Sequence, residues 1–329
     1  MRTREIAAAW AAEGCRIAQA TVVRTWRSSP CPAGSLMVVD ERGRFAGSVS
    51  GGCIESAVIE EASRLIERGG SRSLEYGVTD ERAWEVGLPC GGEVEILVGP
   101  FDRGVNDRLL AARTERSSSA LLIDLSTGVQ RLVDPDELPG DLAEPEREFV
   151  TRHAHRERCG VVDGRTFVQI LGPPVRLILI GAVHLGQMVA RLARLVGFEV
   201  SVVDPRPPFA TPDRFPDARL VTKWPAEALA ELGLDRRTAV VTLSHDAKLD
   251  EPALATALAA GCFYVGALGG RKTQQARRQR LRREGIDSAA LARIHGPVGL
   301  DIGAVTAGEI AVAIVAQIVE RWRRGGDER

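Results

Sequence analysis

The chain has 329 residues, 44% of them hydrophobic and 26% charged, with a formal net charge of −1. That length exceeds one ordinary core and suits two domains, and the near balance of charge excludes a general field drawing the protein to nucleic acid or to a membrane surface. The longest apolar run, Ile310–Val319, is broken by Gln317 and is too short to span a bilayer.

Arg2, Arg4, Glu5 and Glu13 interrupt the alanine-rich N-terminus, so no signal peptide is expected there. The expected location is the cytoplasm. Cys15, Cys31, Cys53, Cys90, Cys159 and Cys262 are then thiols rather than a disulfide framework. Arginine supplies nearly all the positive charge, Lys223, Lys248 and Lys272 being the only lysines.

In chain order, Thr3 can cap a helix reaching Glu13, and Ile17–Trp26 is rich in β-branched residues and reads as a strand. After a proline loop, Ser28–Gly34, a hairpin is expected from Ser35–Asp40 and Arg44–Val49 about Glu41-Arg42-Gly43. Ser50-Gly51-Gly52-Cys53 then opens a helix, Ile54–Arg68, with Ile54, Val58, Ala62 and Leu65 on one face. Strands follow at Arg72–Val78 and Glu93–Val98, the second introduced by Leu88-Pro89-Cys90-Gly91-Gly92. Leu121–Asp124 and Val129–Val133 suggest another hairpin, and the acidic, proline-bearing stretch Asp134–Glu148 reads as an exposed loop. Val161–Phe167 carries an Asp163-Gly164 turn, and Gly172-Pro173-Pro174 reads as a linker.

Beyond it the pattern changes. Leu177–Ile180 is an apolar strand of buried parallel type, followed by Gly181-Ala-Val-His-Leu-Gly186, a helical pattern through Leu195, and the strand Glu199–Val203 ending at Asp204-Pro205-Arg206. Strand, glycine turn, helix, strand and terminal acid form the dinucleotide-binding βαβ unit. Gly181 would allow the tight turn, Gly186 the close packing of helix on strand, and Asp204 an acceptor for a ribose hydroxyl. The helix N-terminus around His184 could face a phosphate. Val183 stands where the fingerprint's middle glycine belongs, so tight NAD binding is not expected. Strands at Ala218–Val221, Ala239–Leu243 and Phe263–Val265 alternate with helices at Glu227–Leu232, Pro252–Ala260 and Thr273–Arg283. Thr306–Glu309 is a capping box heading an amphipathic helix to Arg323. The fold expected is α/β: a mixed α/β domain over residues 1–171, then a doubly wound parallel sheet of Rossmann type over residues 172–329.

In such a sheet ligands bind at the carboxyl ends of the strands. The turn at Gly181, Asp204 with Arg206, His245 in Ser244–Asp246, and Arg271 closing Gly266–Arg271 all fall there. His295 and Asp301 lie in the glycine-rich stretch His295–Gly303. The plainer alternative is that His245 caps the next helix and that turn chemistry explains the glycines. Arg271–Arg283 reads first as a solvated basic face, with phosphate or an acidic partner as the alternative. In the N-terminal half Cys53, after Gly51 and Gly52, and Cys90, before Gly91 and Gly92, stand out. A thiolate favoured by free N–H groups could ligate a soft metal or carry sulfur; otherwise the glycines serve geometry and the cysteines fill space.

Ser28–Ser35, Gly47–Glu55 and Leu88–Gly92, together with Gly181–Gly186, Val203–Arg206, Tyr264–Gly269 and Arg293–Ala304, resemble the XdhC/CoxI family over almost the whole chain. Departures are Val183, where glycine is usual, and Gly270, where serine is. The resemblance implies an accessory protein of xanthine dehydrogenase-type molybdenum hydroxylases. Such a protein binds the molybdenum cofactor, in molybdopterin or dinucleotide form, and supports its sulfuration with a cysteine desulfurase. It then passes the cofactor to the hydroxylase apoenzyme. Cys53 and Cys90 would lie near the molybdenum or its sulfur, with the phosphate or nucleotide end in the Rossmann crevice. A homodimer is left open. The rival reading is an NAD(P)-dependent oxidoreductase with His245 or His295 as acid–base.

Overall fold

The computed structural model describes residues 2–27, 29–52, 54–77, 93–154 and 157–324. Cys53, Cys90, Gly91 and Gly92 lie outside the described residues. The chain divides into two compact units, Met1–Pro173 and Pro174–Arg329.

The first unit is built on two antiparallel sheets. Helix α1 (Arg2–Ala12) precedes β1 (Ile17–Trp26), β2 (Leu36–Asp40) and β3 (Phe45–Gly47); α2 (Glu55–Arg68) leads to β4 (Arg72–Tyr76) and β5 (Glu93–Pro100). These strands pair in the order β3-β2-β1-β5-β4. Side chains alternate across a strand, so Ala18, Ala20 and Val22 of β1 meet Val58 and Ala62 of α2 on one face. Val23 and Leu97 point the other way, to α3 (Arg103–Thr114) and a second sheet. That sheet comprises β6 (Ser119–Asp124), β7 (Gln130–Val133), β8 (Cys159–Val162) and β9 (Thr166–Leu171), ordered β7-β6-β9-β8. The Asp163-Gly164 turn has φ of 50° and 74°, the left-handed values that favour Asp-Gly, in the three-residue loop between paired Val162 and Thr166. Two helices differ from the sequence expectation. The α3 segment carries no strong apolar period and is held at its start by Asp102, which accepts from Val105 N at 2.9 Å. Helix α4 (Glu144–His153) begins inside the stretch read as a loop, with Pro145 in its first turn beside Glu144 and Glu146, residues that suit a helix N-terminus.

The second unit begins with β10 (Arg176–Ile180), α5 (His184–Leu195), β11 (Glu199–Val203), β12 (Arg219–Val221), α6 (Pro225–Leu232) and β13 (Thr238–Thr242). It continues through α7 (Ala247–Ala259), β14 (Tyr264–Ala267), α8 (Arg271–Arg283), α9 (Ser288–Ala292), β15 (Ile294–His295) and α10 (Ala307–Arg324). Six parallel strands stand in the order β12-β11-β10-β13-β14-β15, the doubly wound order whose switch point lies between β10 and β13. Leu177 and Leu179 enter the core beneath α5 and α10, while Ile178 and Ile180 enter the one beneath α6 and α7. Burial on both faces explains the unbroken apolar run, and each such side chain contributes about 1.5–3 kcal/mol on leaving water. Pro252, expected to start a helix, instead sits inside α7, because Asp246 caps that helix by accepting from Lys248 N at 2.9 Å.

Each unit carries its own apolar clusters. A chain beginning at Pro174 is therefore expected to melt in one cooperative transition with native-like far-UV dichroism. Non-cooperative melting of that fragment would show that the units depend on each other.

Candidate functional site

At the switch point β10 ends in Gly181, whose φ is +102°. A Cβ there would stand 3.0 Å from the Ser244 backbone just after β13, so a side chain is excluded both by conformation and by space. Gly186 lets α5 lie close on the strand: its Cβ would come 3.3 Å from Gly181 O. Val183 is the N-cap of α5, provides no side-chain cap, and packs partly buried against the core beneath. His184 is exposed in the first turn of α5.

Asp204 does not serve as expected. It is wholly buried, and both oxygens are taken. Oδ2 accepts from Ala182 N (2.8 Å) and Arg206 Nη2 (2.8 Å), while Oδ1 accepts from Arg206 N (3.0 Å) and Arg206 Nε (2.8 Å). Four donors saturate a carboxylate, so Asp204 itself presents no free acceptor to a ribose. Burial opposes ionisation, but Arg206 and the N–H groups hold the Asp204 pKa below its usual value. The carboxylate braces the glycine turn. Arg206, stacked 4.1 Å over Phe209, is its counter-ion rather than a free anion receptor.

Across the crevice, His245 is exposed with φ +61°, a left-handed conformation uncommon outside glycine and found at turns and functional sites. It is not the cap of α7; Asp246 is. Below it lies a buried network that the basic pattern of Arg271–Arg283 concealed. Ser244 Oγ donates to Asp250 Oδ1 (2.6 Å), and Arg277 Nη2 donates to Asp250 Oδ2 (3.2 Å) and Leu268 O (3.1 Å). Arg277 Nη1 donates to Gln274 Oε1 (2.7 Å), and Gln274 Nε2 to Ala267 O (2.7 Å) and Gly269 O (2.9 Å). Arg277 is 3% exposed, so α8 is not a uniformly solvated face. The network ties the loops after β13 and β14 together; its only sequence signal is polarity at helical spacing. Gly270 is the N-cap of α8 without a side-chain cap, and Arg271 is exposed beside it.

His295 ends β15, beside Gly266 of β14. Its ring stacks on Tyr264 at 4.7 Å and 3°, and burial, then Arg321, pushes its pKa down. Tyr264 Oη donates to Gln317 Oε1 (2.5 Å), which also accepts from Gly299 N (3.0 Å), pinning the glycine-rich loop to α10. Asp301 is exposed on that loop.

In the first unit, the loop before α2 closes on Glu55. Its carboxylate accepts from Ser48 Oγ (2.7 Å), Ser50 Oγ (2.5 Å), Ser50 N (3.0 Å), Gly51 N (3.1 Å) and Gly52 N (2.9 Å). Gly51 and Gly52 adopt φ of 80° and 122°, which aims these N–H groups inward. The N–H groups expected to stabilise a Cys53 thiolate are therefore directed to Glu55 instead. Burial opposes ionisation of Glu55, but the serine hydroxyls and loop N–H groups lower its pKa to about 2. Sequence reasoning assigned Glu55 no role, although an acid in the first turn after a glycine pair is the available signal. Cys31 was likewise unassigned; its sulfur lies 3.7 Å from Ser48 Oγ, against the same loop.

Fold and site together define a protein with a Rossmann unit whose Asp204 carboxylate is occupied within the chain, and a unit bearing a carboxylate-braced Ser-Gly-Gly loop. The XdhC Rossmann domain family matches residues 177–318, and the XdhC and CoxI family matches residues 10–77. A molybdenum cofactor insertion chaperone of Escherichia coli, PaoD, is 30% identical over 300 residues, spanning 91% of this chain and 81% of its own length. A Bacillus subtilis protein described as a probable xanthine dehydrogenase subunit is 27% identical, covering 93% of each chain. A Bacillus halodurans structure described as a xanthine dehydrogenase superposes with a TM-score of 0.81 at 26% identity, covering 98% of this chain and 96% of that one. The chain belongs to the XdhC/CoxI family.

Two outcomes test this geometry. The depressed Glu55 pKa means that its stabilisation is complete above the unfolded value near 4.5 and is lost as pH falls toward about 2. Glu55→Gln should cost about 2 kcal/mol at pH 7, discounted for screening at the exposed edge, and should flatten stability between pH 5 and about 2.5 in denaturant titrations. A variant as stable as the parent at pH 7 would show the loop to be held by other means. Asp204→Asn should cost about 2–4 kcal/mol, because it leaves Arg206 and Ala182 N short of acceptors. Equal chemical-denaturation midpoints would refute the brace.

Proposed function

We propose that this protein binds the molybdenum cofactor and delivers it to a molybdenum hydroxylase of the xanthine dehydrogenase type. The observation that carries this is the similarity to the Escherichia coli insertion chaperone along nearly the whole chain. A crevice that can take an anion without selecting a nicotinamide nucleotide agrees with it.

The residues present fit such a cofactor. Its phosphate end suits the first turn of α5, where Val183 gives no side-chain cap to the N–H groups at the positive helix end. The loop at Gly51 and Gly52 cannot play that part, since Glu55 already fills it with a carboxylate. A soft molybdenum–sulfur end suits the thiols of Cys53 and Cys90. When bound, the cofactor supplies the molybdenum and sulfur chemistry of the receiving enzyme. His184 and His245 are exposed at the same end of the sheet and would contact the pterin or phosphate; Arg271 is exposed beside them at the start of α8, and His295 and Asp301 belong to the adjoining loop. A cysteine desulfurase would be the source of the terminal sulfur, and the molybdopterin and dinucleotide forms both satisfy this chemistry.

The test is molybdenum per protein after purification from a molybdenum-sufficient host, with the melting temperature and activation of the apoenzyme. The parent should carry molybdenum and activate the hydroxylase. Cys53→Ser and Cys90→Ser should lose most of the metal at an unchanged melting temperature, because a hydroxyl is hard and of high pKa. Cys15→Ser should retain it. A parent that neither holds molybdenum nor activates the enzyme would overturn the function, and metal unchanged in both cysteine variants would overturn the assignment of these thiols.

A further inference from the structure

Helix α8 divides its arginines by partner. Arg277 and Arg280 face the body of the unit and meet acids: Asp250 at 3.2 Å and Glu251 at 2.7 Å. Arg271, Arg278 and Arg282 lie on another face, at i, i+7 and i+11, where they line an open cavity of about 390 Å³ with Gln274, Gln275 and Gly296. No acid lines it. Arg278 donates there only to the carbonyl of Ile294, at 3.4 Å, and no carboxylate pairs with Arg271 or Arg282 among the described residues. In a chain of net charge −1 this is a local concentration of positive charge.

The shape indicates what would neutralise it. A small ligand is held by a concave, largely apolar pocket that buries most of its surface. Here the lining is arginine and glutamine side chains of one helix with Gly296 from the loop after β15, and it includes no apolar side chain. From Arg271 to Arg282 is about 16 Å of helix, roughly the reach of five residues of extended chain, whereas one phosphate would bridge only Arg278 and Arg282. Planar guanidinium forks match carboxylates in pairs. Rows of this kind guide encounter between proteins of opposite local charge.

We infer that the α8 face bearing Arg271, Arg278 and Arg282 is the docking surface for an acidic segment of the enzyme that receives the cofactor. The identity of that enzyme rests on the function proposed above; the acidic character of the segment rests on the groove itself.

The experiment measures binding of the full-length protein to the purified apo-hydroxylase by biolayer interferometry at low and at physiological salt. The double variant Arg278→Glu/Arg282→Glu should bind about tenfold more weakly or worse, mainly through a slower on-rate, and should lose most of the salt dependence. Its molybdenum content and melting temperature should match the parent, since neither side chain supports the core. Arg191→Glu, an exposed change on α5, controls for loss of positive charge in general and should bind as the parent does. An affinity within about twofold of the parent, an equal loss in Arg191→Glu, or a parent that does not bind the apo-hydroxylase at all would overturn the docking surface. So would a double variant that loses bound molybdenum or pyrophosphate binding while keeping its affinity for the hydroxylase, which would mark a small-anion site. The parent's molybdenum content, read in the same preparation, separates failure of this inference from failure of the proposed function.

Discussion

The second unit depends on the buried carboxylate of Asp204. It stands at the end of β11, yet it accepts from Ala182 N in the turn that leaves β10 and from three N–H groups of Arg206. A carboxylate without exposure would be costly if left unpaired. Here four donors compensate it, and the result is a glycine turn locked to the neighbouring strand. No side chain is tolerated at Gly181, because Ser244 closes the space where a Cβ would go. The α5 N-terminus therefore points into the crevice from a fixed position.

The first unit uses the same physics with a different acid. Glu55 lies inside a ring of serine hydroxyls and loop N–H groups that would otherwise form an anion cradle. Both motifs that look from the sequence like anion receptors thus contain an internal carboxylate. In one, the carboxylate replaces the ligand altogether; in the other, it uses a single N–H and leaves the first turn of the helix uncapped. The first turn of α5 thus keeps its N–H groups without a side-chain cap, whereas those of the Ser-Gly-Gly loop are taken by Glu55.

The remaining polar groups of the second unit serve the same end. Ser244, Asp250, Arg277 and Gln274 join the loops after β13 and β14, and Tyr264 with Gln317 joins the His295–Gly303 loop to α10. Satisfied buried networks of this kind fix loop geometry, because any slip leaves a donor or acceptor without a partner. The crevice is consequently lined by loops that are anchored from beneath, with His184, His245 and Arg271 exposed above them.

The sequence by itself determined the Rossmann unit, since apolar strands buried on both faces, separated by amphipathic helices, have few other ways to bury their surface. It also determined the capping box at Thr306, whose hydroxyl accepts from Glu309 N while Glu309 accepts from Val305 N and Thr306 N, and the Asp163-Gly164 turn, because their chemistry is complete within a few residues. Helices α3 and α4 escaped it because their weak apolar pattern is compensated by Asp102 and by acids at a helix start. Tertiary structure alone decided the partners of the charged groups. Asp204 and Arg277 each look like surface or ligand-binding residues when read along the chain, and each is buried against a partner distant in sequence, Ala182 N and Asp250 respectively. A motif specifies where a carboxylate or guanidinium stands, but whether it faces a ligand or its own backbone depends on contacts made across the fold.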